Sequence, residues 1–267
     1  MPQGRPSRRW RPALAAALAL GAAACRGPGG LGALPADDPR PPRLVADYER
    51  DAEARRALRG RARIEVEGAS APGFSGRQIV VAERPDHLRL ELLGLFDQSL
   101  AVLAIDGEQY ELFRAADLSL DRGPLHDDLL WDNARIRLRP ADAVALLLGA
   151  PLPDRGLVPV GAGEAEDGEI RVSLAAPGGG AVRQRLGFDA QGRLRRVEAL
   201  AADGELEWAA GYGSYEPVEG VPFAHEITLF VAEGHTRVRI ALRDIELNPE
   251  LPEGVFHVRP ASGAAAR

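Results

Sequence analysis

The sequence predicts a mainly β protein of about eleven antiparallel strands, with two or three helices covering the concave face of the sheet. Three observations lead to this prediction. Apolar and charged side chains alternate along many short runs, and glycine-containing turns separate those runs. No alternation of strands with long helices, which would indicate a parallel sheet, is present.

The chain opens with features of an exported protein. Arginines precede a short apolar run, residues 13–20, and small residues follow it. This pattern predicts a signal peptide over residues 1–24, because the run is shorter than the roughly 20 residues of a membrane span. The sequence Ala22-Ala23-Ala24-Cys25 resembles a bacterial lipobox, which implies cleavage before Cys25 and acylation of that residue. The alternative is an ordinary signal peptide followed by an incidental cysteine.

Residues 25–43 are rich in Gly and Pro and predict a tether between the acylated Cys25 and a folded domain over residues 44–260. Because Arg26 rather than Asp follows Cys25, the resemblance to known sorting signals implies the outer membrane, with the domain on its periplasmic face. The small residues 261–267 predict a disordered tail.

The first element of the domain is a predicted helix over residues 44–59. Leu44, Tyr48 and Ala52 recur near helical spacing, and Gly60 stands where a helix C-cap is expected. A meander follows, in which Asp106-Gly107 gives the strongest hairpin signal. Its five predicted strands cover residues 61–68, 74–83, 87–94, 99–105 and 108–114.

The middle of the chain gives weaker signals. Residues 118–138 are ambiguous, with Pro124 as a possible start of a short helix that runs through Trp131. A clearer helix is predicted at residues 140–148, because Pro140 suits a first helical position and Gly149 ends it. Residues 150–168 read as a long connection. The apolar segments 118–138 and 140–148 are predicted to cover the concave face of the sheet.

Six further strands are predicted in the second half, with tight glycine turns between them. Their alternation slips at Asp244, which predicts a bulge or a strand end. The six strands cover residues 169–175, 181–188, 193–201, 204–212, 222–232 and 235–247.

The sequence carries no pattern of catalysis or metal binding. Its five histidines are scattered without ligand spacing, and the acidic pair Asp127-Asp128 reads as helix capping or solvated surface. A formal charge of −6 gives no basic footprint for nucleic acid. We therefore expect neither an enzyme, nor a cofactor, nor a nucleic-acid partner.

Three local patterns resemble the bacterial lipoprotein-localisation family, the LolA/LolB-like proteins, and most of all its lipid-anchored LolB-type branch. They are Leu58-Arg59-Gly60-Arg61 between helix and first strand, the strand 85–94 ending in Gly-Leu-Phe, and the closing segment 248–256. The resemblance implies a single unclosed antiparallel β-barrel, a half-barrel whose concave interior takes the acyl chains of lipoproteins bound for the outer membrane. It also implies a periplasmic carrier protein as a possible donor.

The apolar faces of the predicted strands identify candidate residues for such a cavity. Exposing an open aliphatic face to water is unfavourable in free energy, so either an apolar ligand or the helices of the chain itself must cover it. The first case predicts a lipid-binding protein, and the second a structural, assembly or sensor lipoprotein with a filled core. The candidate lining residues are Ile64, Val66, Leu88, Leu90, Leu92, Leu206, Trp208, Ile227, Leu229, Val238 and Ile240.

Leu95 and Phe96 occupy a tight turn where polar residues are expected. In LolB-type proteins the comparable hairpin tip carries an exposed apolar residue that enters the membrane, and the resemblance assigns that role to Leu95 and Phe96. The alternative is that one of the two folds back onto the sheet as core.

Overall fold

The computed structural model describes residues 31–68, 71–149, 151, 156–258 and 265–266. The predicted signal peptide, the anchor Cys25 and residues 26–30 of the tether lie outside the described residues, as does most of the predicted tail. Within the described part of the chain, no helix is long and apolar enough to cross a membrane.

The described strands form one sheet of fifteen, antiparallel throughout except where the last strand meets its neighbour. The strands are β1 (Gly32–Ala33), β2 (Ala57–Gly68), β3 (Ala71–Glu83), β4 (His87–Leu93), β5 (Ser99–Asp106), β6 (Gln109–Arg114), β7 (Ser119–Pro124), β8 (Val158–Glu164), β9 (Ile170–Ala175), β10 (Val182–Phe188), β11 (Leu194–Leu200), β12 (Leu206–Val218), β13 (Val221–Val231), β14 (Thr236–Leu247) and β15 (Ala265–Ala266).

The sheet consists of two meanders, β2–β7 and β8–β14, joined where β14 pairs with β2. The predicted fold class is confirmed, and all eleven predicted strands are present. Four strands were missed. β7 lies in the stretch 118–138 that the sequence left ambiguous, and β8 lies in the predicted connection 150–168. The sequence did not predict β8, because Pro159 and two glycines interrupt its alternation of apolar and polar residues. Proline and glycine are both depleted in strands.

Three helices accompany the sheet: α1 (Arg40–Ala54), α2 (Leu129–Ala134) and α3 (Pro140–Leu147). The prediction for α3 is confirmed within one residue, whereas α1 begins four residues before and ends five residues before its predicted bounds. The early start fits Pro41 in the first turn, where a missing N–H costs nothing. The chain is therefore ordered ahead of residue 44, and Gly32-Ala33 pairs with Gly163-Glu164 of β8.

Gly60 lies inside β2 and does not cap the helix, which corrects the sequence-based interpretation. A Cβ atom at Gly60 would come within 3.1 Å of the carbonyl oxygen of Arg243, because β14 bulges towards β2 at this point. The bulge predicted at Asp244 is confirmed: the register shifts between Arg243 and Glu246, and Asp244 adopts a φ of 52°.

The connection from β7 to β8 determines how the sheet is covered. These two strands lie at opposite edges of the sheet, so the chain between them must cross from one edge to the other. α2 and α3 belong to this crossing segment, and α3 packs against β3 and β4. α1 packs against β8 and β9 on the other side. The expectation that the helices cover the concave face is confirmed.

The main core lies between the concave face and these helices. Leu88 of β4 and Ile227 of β13 are fully or almost fully buried there, as are Leu129 of α2 and Val144 of α3. A second, smaller core lies on the outer face, where the C-terminal segment places Val258 over three strands. Its other buried members are Val102, Ala104 and Leu120.

Asn248 fastens the junction between α1 and β2. Its side-chain oxygen accepts hydrogen bonds from the backbone N–H groups of Arg56 at 2.7 Å and Ala57 at 3.1 Å, and its amide donates to the carbonyl of Ala54 at 2.9 Å. Its φ of 50° is one that Asn tolerates better than most residues. One side chain thereby pairs a carbonyl that the end of the helix leaves free and two N–H groups of the segment that leads into β2.

Replacing Asn248 with Ala should destabilise the protein by about 2 kcal/mol, because three hydrogen bonds to the backbone are lost. For a chain of this size that corresponds to a decrease of roughly 4–8 °C in the unfolding midpoint. Asn248→Asp keeps the acceptor and should cost less than half as much. Thermal unfolding followed by circular dichroism measures both, and equal losses in the two variants would contradict the assigned role of the oxygen.

Candidate functional site

Because neighbouring strands run in opposite directions, the turns of the sheet fall alternately at its two ends. One end carries the turns β4–β5, β9–β10, β11–β12 and β13–β14, and we name it the mouth end. The opposite end carries the β5–β6 turn and the junction that Asn248 fastens. The two ends differ in what they expose.

A cavity of about 790 Å³, within the range of small-molecule sites, opens at the mouth end. It lies between the α2–α3 segment on one side and strands β10–β13 on the other. Since α3 packs on β3 and β4, the second meander is covered less completely, and this incomplete cover leaves the space. Its lining comprises Asp127, Asp128, Arg137, Leu138, Arg139, Asp142, Ala145, Pro151, Arg183, Gln184, Ala199, Leu200, Ala201, Glu205, Leu206, Glu207, Trp208, Val231, Ala232 and Glu233.

The cavity is amphipathic. Leu138, Leu200 and Val231 are buried apolar side chains of its wall, and Trp208 is half-buried beside them. Nine other lining residues carry a carboxylate or a guanidinium. Such a surface suits a molecule with an apolar body and a polar head, because apolar burial supplies affinity and polar groups supply orientation.

Arg137 connects the helical cover to the rim of the sheet. Its guanidinium contacts Asp128 at 2.6 Å within the cover and Glu233 at 3.1 Å in the β13–β14 turn, and it stacks 4.5 Å from the ring of Trp131. The two carboxylates raise the pKa of Arg137, with the hydrogen bond to Asp128 as the larger cause. Its ion pair with Glu233 bridges the cover and the rim, beside the hydrogen bond that the Thr236 hydroxyl donates to the carbonyl of Arg135. Arg137 is therefore a candidate latch of the cavity.

The carboxylate of Asp128 therefore serves an ion pair, which corrects its interpretation as a helix cap. Asp128 does occupy the N-cap position of α2, but its side chain makes no capping hydrogen bond. Asp127 is exposed and lines the cavity. Within the described residues, no group of three or more His, Cys, Asp or Glu side chains is placed to hold a metal ion.

Of the eleven side chains proposed as cavity lining, Leu206 and Trp208 line the cavity. The others lie on the same concave face, where helix side chains cover most of them. Ile64, Val66, Leu88, Ile227, Leu229 and Val238 are buried in the main core, and Leu90 and Ile240 pack against it. Leu92 is half-buried towards the mouth end, beside the ring of Phe74 and the gap at Gly76.

The β4–β5 turn exposes two large apolar side chains at the mouth end. Leu95 is 89% exposed and Phe96 is 91% exposed, so neither folds back onto the sheet. Of the two arrangements open from the sequence, the structure shows the exposed one.

Polar contacts hold this turn in place. Phe96 donates its backbone N–H to the side-chain oxygen of Gln98 at 3.0 Å. Arg77 of β3 contacts the carboxylate of Asp97 at 3.0 Å and donates to the carbonyl of Gly94 at 2.7 Å. These contacts fix the conformation of the turn, and in that conformation Leu95 and Phe96 project into solvent.

Other exposed apolar side chains gather at the same end. Val221 is the one member of the exposed large hydrophobic set in the described chain that lies at the opposite end. The remaining members start or end strands at the mouth end: Phe74, Leu95, Phe96, Leu100, Leu118, Val158 and Val160. Clustering of exposed apolar groups around one end of a protein is typical of an interaction surface.

The opposite end carries a buried tyrosine cluster. Tyr48 of α1 donates its hydroxyl to the carbonyl of Pro151, and Tyr215 donates to that of Leu194. Burial raises the pKa of both hydroxyls and of Tyr212, that of Tyr215 to about 12. All three hydroxyls are neutral at physiological pH, and those of Tyr48 and Tyr215 donate hydrogen bonds, which fits a structural role under α1.

Solved structures with the same fold were found by comparison. A LolA superfamily protein from Nitrosomonas europaea matches with a TM-score of 0.51 and 13% identity over 80% of this chain and 96% of that one. A Vibrio parahaemolyticus domain named for outer membrane lipoprotein sorting matches with a TM-score of 0.51 and 11% identity over 80% and 94%. A DUF1329 family protein from Desulfovibrio piger matches with a TM-score of 0.53 and 8% identity over 81% and 97%.

Neither a protein-family model nor a curated protein sequence matches the chain. At identities this low, structural likeness establishes the fold. The resemblance to the LolA/LolB-like proteins is thus confirmed as the open β-barrel with helices that the sequence predicted.

Sequence reasoning missed the charged half of the cavity. Arg137 and Glu233 lie far apart in the chain, and no local pattern relates them. Gln184 continues an ordinary strand run and gives no signal at all. Only Trp208, an aromatic in a chain with 5% aromatic residues, offered a hint that this part of the second meander differs.

Replacing Leu95 with Glu should leave the free energy of unfolding unchanged within about 0.5 kcal/mol, because the side chain contacts solvent. The matched control is Leu103→Glu in the adjacent strand β5, where a buried position should lose several kcal/mol from an unpaired charge. Thermal melts of both variants measure this. A large loss in Leu95→Glu would show that the turn packs in solution.

Proposed function

We propose that this chain is a lipid-anchored protein of the outer membrane, on its periplasmic face, that binds acyl chains of lipoproteins or lipids beneath its helical cover. In this role it assists the localisation of lipoproteins, accepting them from a periplasmic carrier and releasing them to the membrane. The binding is non-covalent, so the chain acts as a carrier or chaperone without chemical catalysis.

One observation supports this function more than any other: the cavity and the exposed Leu95–Phe96 turn share one end of the sheet. A carrier must pass an apolar ligand across a gap where water would contact it. An opening surrounded by apolar side chains shortens that gap, because the surrounding groups can dip into the lipid while the ligand leaves. A protein with a purely structural core has no need of this arrangement.

The concave face provides room for acyl chains if the cover moves. α2 and α3 now occupy it with apolar side chains, among them Leu130 and Leu147. If acyl chains displace these helix side chains, one apolar contact with the sheet replaces another. Burial of the ligand, at about 25 cal/mol per Å² of apolar surface, then offsets most of the free energy that is lost when the helices move. A carrier needs this near balance, since it must release what it binds.

The second candidate is a scaffold or sensor lipoprotein of the same fold. The specific observation in its favour is that six of the predicted lining side chains are buried in a packed core. On this reading the helices stay in place, and the exposed side chains of the mouth end contact another protein.

Uptake of a fluorescent fatty acid by the full-length chain in mild detergent separates these two functions. The carrier should bind it, and Arg137→Gln, which removes both ion pairs of the latch, should speed uptake. Arg122→Gln removes an ion pair with Glu111 far from the cavity and is the matched control. Transfer to vesicles should fall roughly tenfold in Leu95→Glu, since the turn loses the affinity of one apolar side chain for lipid. No uptake, together with no lipid in mass spectra of gently purified protein, would favour the scaffold.

The anchor predicts a separate outcome. Cys25→Ser should block acylation, so the protein should be released from membranes or left unprocessed, while its unfolding midpoint stays the same. Metabolic labelling with radioactive palmitate, followed by membrane fractionation, measures both effects. A mature wild-type protein that carries no label would show that the lipobox resemblance is misleading.

A further inference from the structure

One wall of the cavity contains a buried amide with an unused acceptor. Gln184 lies on the inner face of β10 opposite Ala199 and is 6% exposed. Its side-chain oxygen has no hydrogen-bond partner in the described part of the chain. Buried polar atoms in native proteins are nearly always paired, and Gln184 is one of the residues that line the cavity. Its unpaired oxygen therefore indicates a group that the cavity receives. An acceptor calls for a donor, either an N–H or an O–H.

The charges around this amide are unequal. The lining has six carboxylates and three guanidiniums. Arg137 pairs with two of these carboxylates and Arg139 with a third, Asp142. Among the described residues, the other three carboxylates form no ion pair: Asp127, Glu205 and Glu207. A cleft with an excess of one charge favours ligands of the opposite charge and disfavours those of the same charge.

Arg183 supplies a single positive group on the same wall. Its Nε donates to the carbonyl of Leu200 at 3.0 Å, and within the described chain no carboxylate pairs with its guanidinium. The strand wall therefore offers one cation, two unpaired anions and a neutral acceptor, and the helical side adds the unpaired carboxylate of Asp127. A head group that combines a primary ammonium with a nearby phosphate or carbonyl oxygen matches all of these partners.

From this arrangement we infer that the cavity selects an acylated ligand whose head group carries a primary ammonium. Gln184 accepts a hydrogen bond from the ammonium or from an adjacent N–H group, Glu205 and Glu207 balance its charge, and Arg183 holds a neighbouring oxygen. The inference rests on the proposed binding of acyl chains and adds the class of head group.

The test uses lipids with identical brominated acyl chains, which quench tryptophan fluorescence on contact. Trp208 lines the cavity and reports binding, and Trp208→Phe identifies its share of the signal. The full-length chain in non-ionic detergent is titrated with phosphatidylethanolamine, phosphatidylcholine and phosphatidylglycerol. The first should bind roughly fivefold or more tightly than either of the others, the effect expected of one well-placed hydrogen bond to a charged group.

Two variants test the assigned partners. Gln184→Met keeps the volume and should remove most of the preference for phosphatidylethanolamine over phosphatidylcholine without lowering the unfolding midpoint. The double variant Glu205→Gln with Glu207→Gln, on exposed positions, should reduce the preference over phosphatidylglycerol at least threefold. Glu108→Gln, an exposed residue at the opposite end, is the control and should change neither ratio.

The outcomes separate this inference from the proposed function. Equal binding of the three lipids, or a preference that survives in all variants, would overturn the inference and leave acyl binding intact. No quenching by any lipid would overturn both. A diacylated peptide with a free α-amine, compared with its N-acetylated form, identifies the source. A preference for the free amine indicates a lipoprotein N-terminus, and a preference confined to the phospholipid indicates a phosphoethanolamine head.

Discussion

The structure depends on one constraint, an extended sheet with a continuous apolar face that water must not reach. The two meanders meet at the β14–β2 pair, which places β7 and β8 at opposite edges. The chain can connect those edges only by crossing the sheet. It crosses on the concave side and covers that face with α2 and α3, so a single topological requirement also supplies the hydrophobic core.

The position of the cover explains where the cavity lies. α3 rests on β3 and β4, and α1 closes the side of β8 and β9 near the opposite end. At the mouth end of strands β10–β13 a cavity remains, and long charged side chains border it. Arg137 illustrates the consequence, since an exposed ion pair such as the one with Glu233 yields to movement more readily than packed leucines do.

The two faces of the cover thus have different roles. Its apolar side chains fill the interior and stabilise it without a ligand. Its charged rim can open, because exposed ion pairs separate more readily than packed side chains, and a ligand can then enter. The exposed turn at Leu95 and Phe96 adds apolar surface at the same end, and its hydrogen bonds keep that surface away from the core. In our proposal, the charged rim and the exposed turn form a path between a membrane and the concave face. The amide of Gln184 and the unpaired carboxylates bind the polar head group of the ligand.

The sequence by itself determined the fold class, eleven of the strands, the third helix and the bulge at Asp244. These features depend on local alternation and turn chemistry, which a short window contains. It left open whether Leu95 and Phe96 are exposed, because a turn residue can face either way until the strands around it are placed. It misjudged Gly60, whose position depends on Arg243, a residue distant along the chain. It left open whether Asp128 caps a helix or is solvated, and the structure shows an exposed side chain paired with Arg137. The charged wall of the cavity and the unpaired amide of Gln184 exist only after the second meander folds under the crossing helices, so only the tertiary structure decided them.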